Sequence, residues 1–251
     1  MKDIQYGLPR LTVSVDAYRV SIKDAIGTQS IADQLADCQT SGGTAPVCAL
    51  IERPFPFSNA TPANFPTKIR VVPQNLARLL TKGIDFEVSY RIPLPSLDGD
   101  LTLRAFANYL DTYDTQGAAS QPVLHRAGRA TADQEPFGLQ KWKGLLTQAY
   151  NGQNFSLSFT ERFTGKYTYG SPNQVFAKPF VVPNRVYVDA NLAATVGSNK
   201  QFELFLNVQN LFDLTPPEVP IPLIANISVA TDKTAYDVVG RYFTAGVRLK
   251  L

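Results

Sequence analysis

Histidine, tryptophan and methionine each occur once in these 251 residues, and cysteine twice. A lone histidine, His125, removes most metal centres, because zinc and iron sites draw on several imidazoles or thiolates. Cys38 and Cys48 have no histidine near them and do not complete a zinc site. Hydrolysis needs a nucleophile, a base and an orienting group, and His125 has only Asp114, Ser120 and Asp133 near it in sequence. Proximity along the chain carries no triad geometry. His125 therefore reads as a solvated loop residue, and no enzymatic activity, metal or cofactor is expected.

Long apolar runs are also missing. No stretch reaches the ~18 residues of a membrane-spanning helix, which says nothing of barrel strands, whose signal per segment is far weaker. Charge is sparse at 18% and nearly balanced, with a formal net charge of +3. No basic stripe forms, so nucleic acid is not an expected partner. The first residues carry no apolar core of a secretory signal. The chain is expected either to stay inside the cell or to be a piece of a longer protein.

What the chain holds is alternation. Residues 240–251 set Phe243, Ala245, Val247, Leu249 and Leu251 on one side and Tyr242, Thr244, Gly246, Arg248 and Lys250 on the other. A period of two marks a strand with one apolar and one wet face. Ile84, Phe86, Val88, Tyr90 and Ile92 oppose Asp85, Glu87, Ser89 and Arg91 in the same way, and Leu101, Leu103, Ala105, Ala107 and Tyr109 oppose Thr102, Arg104 and Asn108. Further strands begin near residues 11, 138, 155, 183 and 202, and the polar sides of the last two carry Asp189 and Glu203. Leu145, Glu161 and Phe205 break the pattern, and Asn151-Gly152 is a tight-hairpin signal.

About eight strands result, joined by connections that run long, short, long, short, medium, short, long. Residues 27–66, the first long connection, hold Cys38, Cys48 and a series of prolines. Two cysteines in one loop suit a local disulfide in an oxidising compartment, with two unpaired thiols as the alternative. Short turns at one end and longer loops at the other are the asymmetry of an outer-membrane barrel. Tyr90, Tyr150, Phe155 and Phe202 fall near the short-turn ends, where rings sit at headgroup level. The fold class expected is all-β, an antiparallel up-and-down transmembrane β-barrel segment. A soluble barrel alternates identically with its apolar side inward, so the loop asymmetry and the closing strand decide between them. Residues 27–66, 116–137 and 213–235 are candidate ligand-capturing loops, with no individual ligand-binding residue singled out. Phe55, Phe57 and Phe65 could contact a ligand there, but are expected to pack the first of these loops onto itself.

Thr244-x-Gly246-x-x-Leu249-x-Leu251 resembles the C-terminal assembly signal of bacterial outer-membrane barrels, with leucine where an aromatic is commoner. Three longer segments resemble the barrel of TonB-dependent outer-membrane receptors. They are residues 11–26, residues 75–90 with Gly83-Ile84-Asp85-Phe86-Glu87, and residues 202–213 joined with 236–251, in which Asn210-Leu211-Phe212-Asp213 is followed by a long loop and the closing strand. The resemblance implies a barrel of about 22 strands around a plug, and energised uptake of a scarce nutrient such as a siderophore, haem, cobalamin or a sugar. Plug and TonB-contacting segment would precede the barrel. Residues 1–251 are thus expected to be its C-terminal part, with the plug absent, TonB reached only through that missing plug, and no competence for transport alone. Outer-membrane lipid and the barrel-assembly machinery are the partners implied. Asp85, Glu87, Arg91, Arg104, Asp189, Glu203 and Arg248 would line the lumen. An incomplete barrel leaves backbone edges at the strands of Leu11 and Val247. The other readings are a self-contained eight-stranded outer-membrane barrel with a structural or adhesive role, and a barrel enzyme that no residue constellation favours.

Overall fold

The computed structural model describes residues 10–117, 123–130, 138–169, 180–197, 199–219 and 231–249. Ser120, Asp133, Lys250 and Leu251 lie outside the described residues. Eight long strands are present: β1 Leu11–Thr28, β2 Pro73–Leu94, β3 Gly99–Gln116, β4 Trp142–Gly152, β5 Phe155–Thr164, β6 Arg185–Val196, β7 Phe202–Gln209 and β8 Tyr242–Leu249. Each pairs with the next in chain order, and the ladders from β3 to β8 are antiparallel. A two-residue strand, Leu124–His125, pairs back on Asp114 and Thr115 of β3. β1 and β8 end the order, and no ladder among the described residues joins them. The barrel is not closed.

The short connections lie together at one end. Pro95–Leu97 and left-handed Asp98 (φ 50°) join β2 to β3. Gln153 and Asn154 join β4 to β5. The tight turn therefore falls just after Asn151-Gly152 rather than on it, both of those residues being still in β4. Gly152 serves a different purpose: its bare Cα leaves room for the Tyr150 ring, whose hydroxyl donates to the Leu97 carbonyl at 2.5 Å.

Contacts divide the chain into two units. The first comprises Lys82–Asp111, Arg126–Leu251 and the chain up to Tyr18. Its register sorts side chains without a slip. Leu101 faces Tyr150, which faces Leu157, which faces Leu192, which faces Leu206, which faces Ala245. One residue along, Thr102, Ala149, Ser158, Asn191, Asn207 and Thr244 form the opposite row. A shift of one residue in any ladder would exchange the two faces. The apolar face has no covering layer: Leu204 is 44% and Val247 62% exposed. Each residue that broke the alternation has found a partner across a ladder. Leu145 lies opposite Phe106 on the polar face, Phe205 lies under the Arg248 guanidinium at 4.7 Å, and Glu161 accepts from Gln148 on the apolar face at 3.1 Å.

The second unit comprises Arg19–Thr81 and Thr112–His125. Its first connection is more structured than a bare loop. Helix α1, Ile31–Thr40, starts at Ser30, whose hydroxyl accepts from the Asp33 amide at 3.1 Å. It ends at Ser41 and at Gly42 and Gly43, with φ of 65° and 86°. Cys38 and Cys48 form a disulfide with Cα atoms 5.1 Å apart, and pack with Val47 and Ile51 into a small core. Buried Asn64 accepts from the Phe55 amide and donates to the Pro56 and Asn59 carbonyls, all at 2.9 Å. That one side chain fixes the proline-rich bend. Phe57 packs against Gly43 and under the Arg53 guanidinium at 5.6 Å, Phe55 is half exposed, and Phe65, 79% exposed, does not pack the loop.

Candidate functional site

Charges on the polar face pair between neighbouring strands. Arg104 of β3 donates to Glu87 of β2 at 2.8 and 2.5 Å. Arg91 of β2 donates to Asp100 of β3 at 2.8 Å. Arg248 of β8 donates to Glu203 of β7 at 2.8 Å. Asn108 donates to Asp85 at 2.6 Å and to the Tyr18 hydroxyl at 3.3 Å. Gly83 makes room for Tyr18, since a Cβ there would overlap its ring. The run from Gly83 to Glu87 thus has a local logic: the glycine admits an aromatic from β1, and the two acids reach β3. Arg91, Arg104 and Arg248 stay about two-thirds exposed. Such pairs add little to stability and leave guanidinium edges available to other anions.

At the long-loop end the pairing becomes partly buried and directional. Arg162 of β5 donates to Asp189 of β6 at 2.7 and 3.1 Å and stands over the Tyr187 ring at 5.4 Å. Asp189 also accepts the Asn210 amide at 2.9 Å. Asn210 is left-handed (φ 51°) and fully buried, a conformation that asparagine tolerates better than most residues. Its amide side chain accepts from Leu214 N–H and donates to Leu214 C=O, at 2.9 and 3.0 Å. Asp213, also left-handed at φ 54°, accepts the Arg241 amide at 2.9 Å, just before β8. Asn210-Leu211-Phe212-Asp213 is a clasp that ends β7, fastens the following loop and positions the start of β8.

Residues of the connections gather with Tyr187 of β6 into a core there. Ala130, Tyr167, Val182, Tyr187, Val219 and Tyr236 are buried together. Asp232, fully buried, is its polar hub. Asp232 accepts from Gly138 N–H at 2.9 Å, from the Tyr167 hydroxyl at 3.4 Å and from Thr234 at 3.0 and 2.6 Å. Burial, reinforced by Asp232, pushes the Tyr236 phenol up to about 12. The loop is moored to the polar face, since Thr164 donates to Ala235 C=O at 3.4 Å and Arg162 reaches Asp237 at 3.7 Å.

His125, in the second unit, contacts Asp114 at 2.8 Å. The pair lines a cavity of about 260 Å3 with Arg78, Gln116 and Val123. The hydroxyl there, of Thr115, is buried without a hydrogen-bond partner, so the imidazole does not activate it. Among the described residues no cluster of three or more metal-ligating side chains exists, and no helix is long and apolar enough to cross a membrane.

The seven charged residues singled out by alternation all fall on strands, and Asp85, Glu87, Arg91, Arg104, Asp189, Glu203 and Arg248 each engage a neighbouring strand. Thr244, Gly246 and Leu249 lie on β8. Sequence reasoning missed Asn210 and Asp232 as structural hubs. The first had a signal, an asparagine closing a strand; the second, an acid inside a loop, had none. It also missed an aromatic cluster at the long-loop end of the apolar face. There Tyr109 and Trp142 lie 4.7 Å apart, with Phe86 6.5 Å from Trp142.

A family model described as TonB dependent receptor-like, beta-barrel, matches residues 2–211. No curated protein matches the sequence. Among solved structures the chain is similar to the FrpB iron transporter of Neisseria meningitidis, at 14% identity and a TM-score of 0.56 over 96% of this chain and 29% of that one. It is similar to the siderophore receptor PirA of Acinetobacter baumannii, at 14% and 0.55 over 98% and 30%. A mutant of the ferric enterobactin receptor PfeA of Pseudomonas aeruginosa gives 15% and 0.56 over 96% and 29%. Identities this low carry the fold alone. The chain spans about three-tenths of the length of these structures, and all three are receptors or transporters rather than enzymes.

Proposed function

We propose, because this chain belongs to the TonB-dependent receptor-like β-barrel family, that it forms the C-terminal portion of an outer-membrane receptor barrel for a scarce nutrient such as an iron siderophore. The observation that carries this reading is the segregation of the sheet into a bare apolar face and a face of paired charges. The apolar face meets lipid. Asp85, Glu87, Arg91, Arg104, Asp189, Glu203 and Arg248 face a lumen that a plug fills in the whole receptor.

Dimensions support it. β4 has 11 residues; at about 3.4 Å per residue and a tilt of about 45°, it rises roughly 25 Å, the height of the apolar band of such barrels. Tyr150 and Phe155 meet with tilted rings 4.8 Å apart at its short-turn end, and Tyr109 and Trp142 meet at the other. These are the two levels at which aromatic girdles sit. β1, β2 and β3, with 18, 22 and 18 residues, are about twice the length a crossing needs, and continue past the lipid. Energy from TonB reaches such a barrel through the plug, so this chain does not transport alone. A self-contained barrel would need β1 to pair with β8, and the described strands form no such ladder.

Single cysteines at Val188, Leu204 and Leu206, and at Asn191, Thr195 and Asn207, test the face assignment in a Cys38→Ser, Cys48→Ser background. In lipid, a membrane-impermeant maleimide is expected to label only the second set. Equal labelling of both sets removes the lipid face. Growth of receptor-deficient cells on a siderophore through residues 1–251 alone would refute the need for a plug.

A further inference from the structure

A cavity of about 730 Å3 in the first unit lies away from the charge pairs of the polar face. Trp142 and Phe163, which belong to the apolar row at the long-loop ends of β4 and β5, line it together with Val181. So do three cations, Arg129, Lys141 and Lys166. Among the described residues no acidic side chain lines the cavity, and none of the three cations is in an ion pair.

The rim is held by backbone. Gly128 N–H donates to Leu139 C=O at 2.6 Å, Leu139 N–H to Arg129 C=O at 3.2 Å, Thr168 N–H to Gly128 C=O at 2.9 Å and Gly165 N–H to Trp142 C=O at 2.9 Å. Three like charges are thereby kept around one opening, with no acidic side chain among the described residues between them. Trp142, Phe163 and Val181 make part of the lining apolar, at the long-loop end where the lipid-facing assignment above puts the headgroups. A hydrated nutrient anion would find a wet route only on the other face. A lipid phosphate arrives already at this depth, with its chain beside Trp142 and Phe163 and its charge level with the cations.

We propose that this cavity binds the phosphate-bearing headgroup of a lipid in the leaflet at the long-loop end of the barrel, with Arg129, Lys141 and Lys166 holding the phosphate over Trp142 and Phe163. The proposal rests on the lipid-facing assignment above, and the test separates the two. Trp142 is the only tryptophan in the chain, so its emission reports this cavity alone. The full chain, refolded in a non-ionic detergent, is titrated with a brominated-chain lipid carrying a phosphomonoester headgroup, and with the same chains on an uncharged headgroup. Quenching by both is expected, with a midpoint at least about tenfold lower for the phosphomonoester. Lys141→Gln with Lys166→Gln, and separately Arg129→Gln, should erase most of that difference while leaving quenching by the uncharged lipid as it was. Equal midpoints for the two headgroups overturn the headgroup site and leave the lipid face standing. Inorganic phosphate that displaces the phosphomonoester lipid at equal concentration overturns the lipid as the source. No quenching by either lipid overturns the lipid face itself, and the site with it.

Discussion

A Cβ at Gly246 would sit 2.6 Å from the Phe205 ring, which is itself covered by Arg248. Gly246→Ala is therefore expected to displace the ring and disturb the Arg248–Glu203 pair, at about 1–3 kcal/mol, as for other overpacked sites. Adding Phe205→Leu should recover most of that loss, because the two positions face each other across β7 and β8. Urea unfolding of the three variants in detergent checks it. If the double variant stays as destabilised as Gly246→Ala, the glycine is needed for something other than the ring. The pairing was not legible in the sequence. Phe205 stood out as a break in alternation and Gly246 as one position of an assembly signal, but a long loop separates them, and only the β7–β8 register puts one on the other. Glu161 and Gln148 illustrate the same limit. The intruding acid could be seen, while its partner depended on a ladder.

At the scale of elements, strands were legible because a two-residue period survives in any context, and the short turns because few residues separate the periodic runs. Helix α1 was not. Ile31, Leu35 and Cys38 do fall at helical spacing, but the helix's ten residues are shorter than the window over which such a stripe stands out, and it sits in a proline-rich connection. It is held instead by a cap and by the Cys38–Cys48 bond, whose sequence separation of 10 corresponds to roughly 3 kcal/mol of loop entropy in the unfolded chain. Replacing both cysteines by serine is expected to cost about that much locally. Amide exchange should quicken across Ile31–Thr40 and stay unchanged in β4 to β7; equal quickening in both would show that the bond supports more than its own unit. The loop core around Asp232 offers a second handle. The Tyr236 phenol is raised to about 12 from an ordinary value of about 10. Its contribution is fully present below about pH 10 and is lost as pH rises through about 12. Tyr236→Phe should flatten the alkaline loss of loop protection in that window, read by exchange at Gly138 and Thr234, whose amides are bound to Asp232.

For the molecule as a whole, edges decide. β1 and β8 flank the sheet and have no ladder between them among the described residues, while each unsatisfied backbone group in hydrocarbon costs several kcal/mol. An edge strand offers about one free amide or carbonyl per residue to whatever lies beside it, so a sheet bounded by two of them is not a stable solute in a bilayer. Three outcomes can satisfy those groups: pairing with further strands of a longer barrel, pairing between copies, or closure of β1 on β8. The chain spans about three-tenths of the structures it resembles, which favours the first. When residues 1–251 are reconstituted alone, edge-to-edge association is expected instead. Val13→Cys combined with Val247→Cys, in the Cys38→Ser, Cys48→Ser background, should then cross-link mainly between chains, and the cross-linked fraction should fall as the protein is diluted in lipid. A monodisperse product cross-linked within one chain, independent of dilution, would instead mean that these eight strands close on themselves, and the receptor reading would give way to a small self-contained barrel.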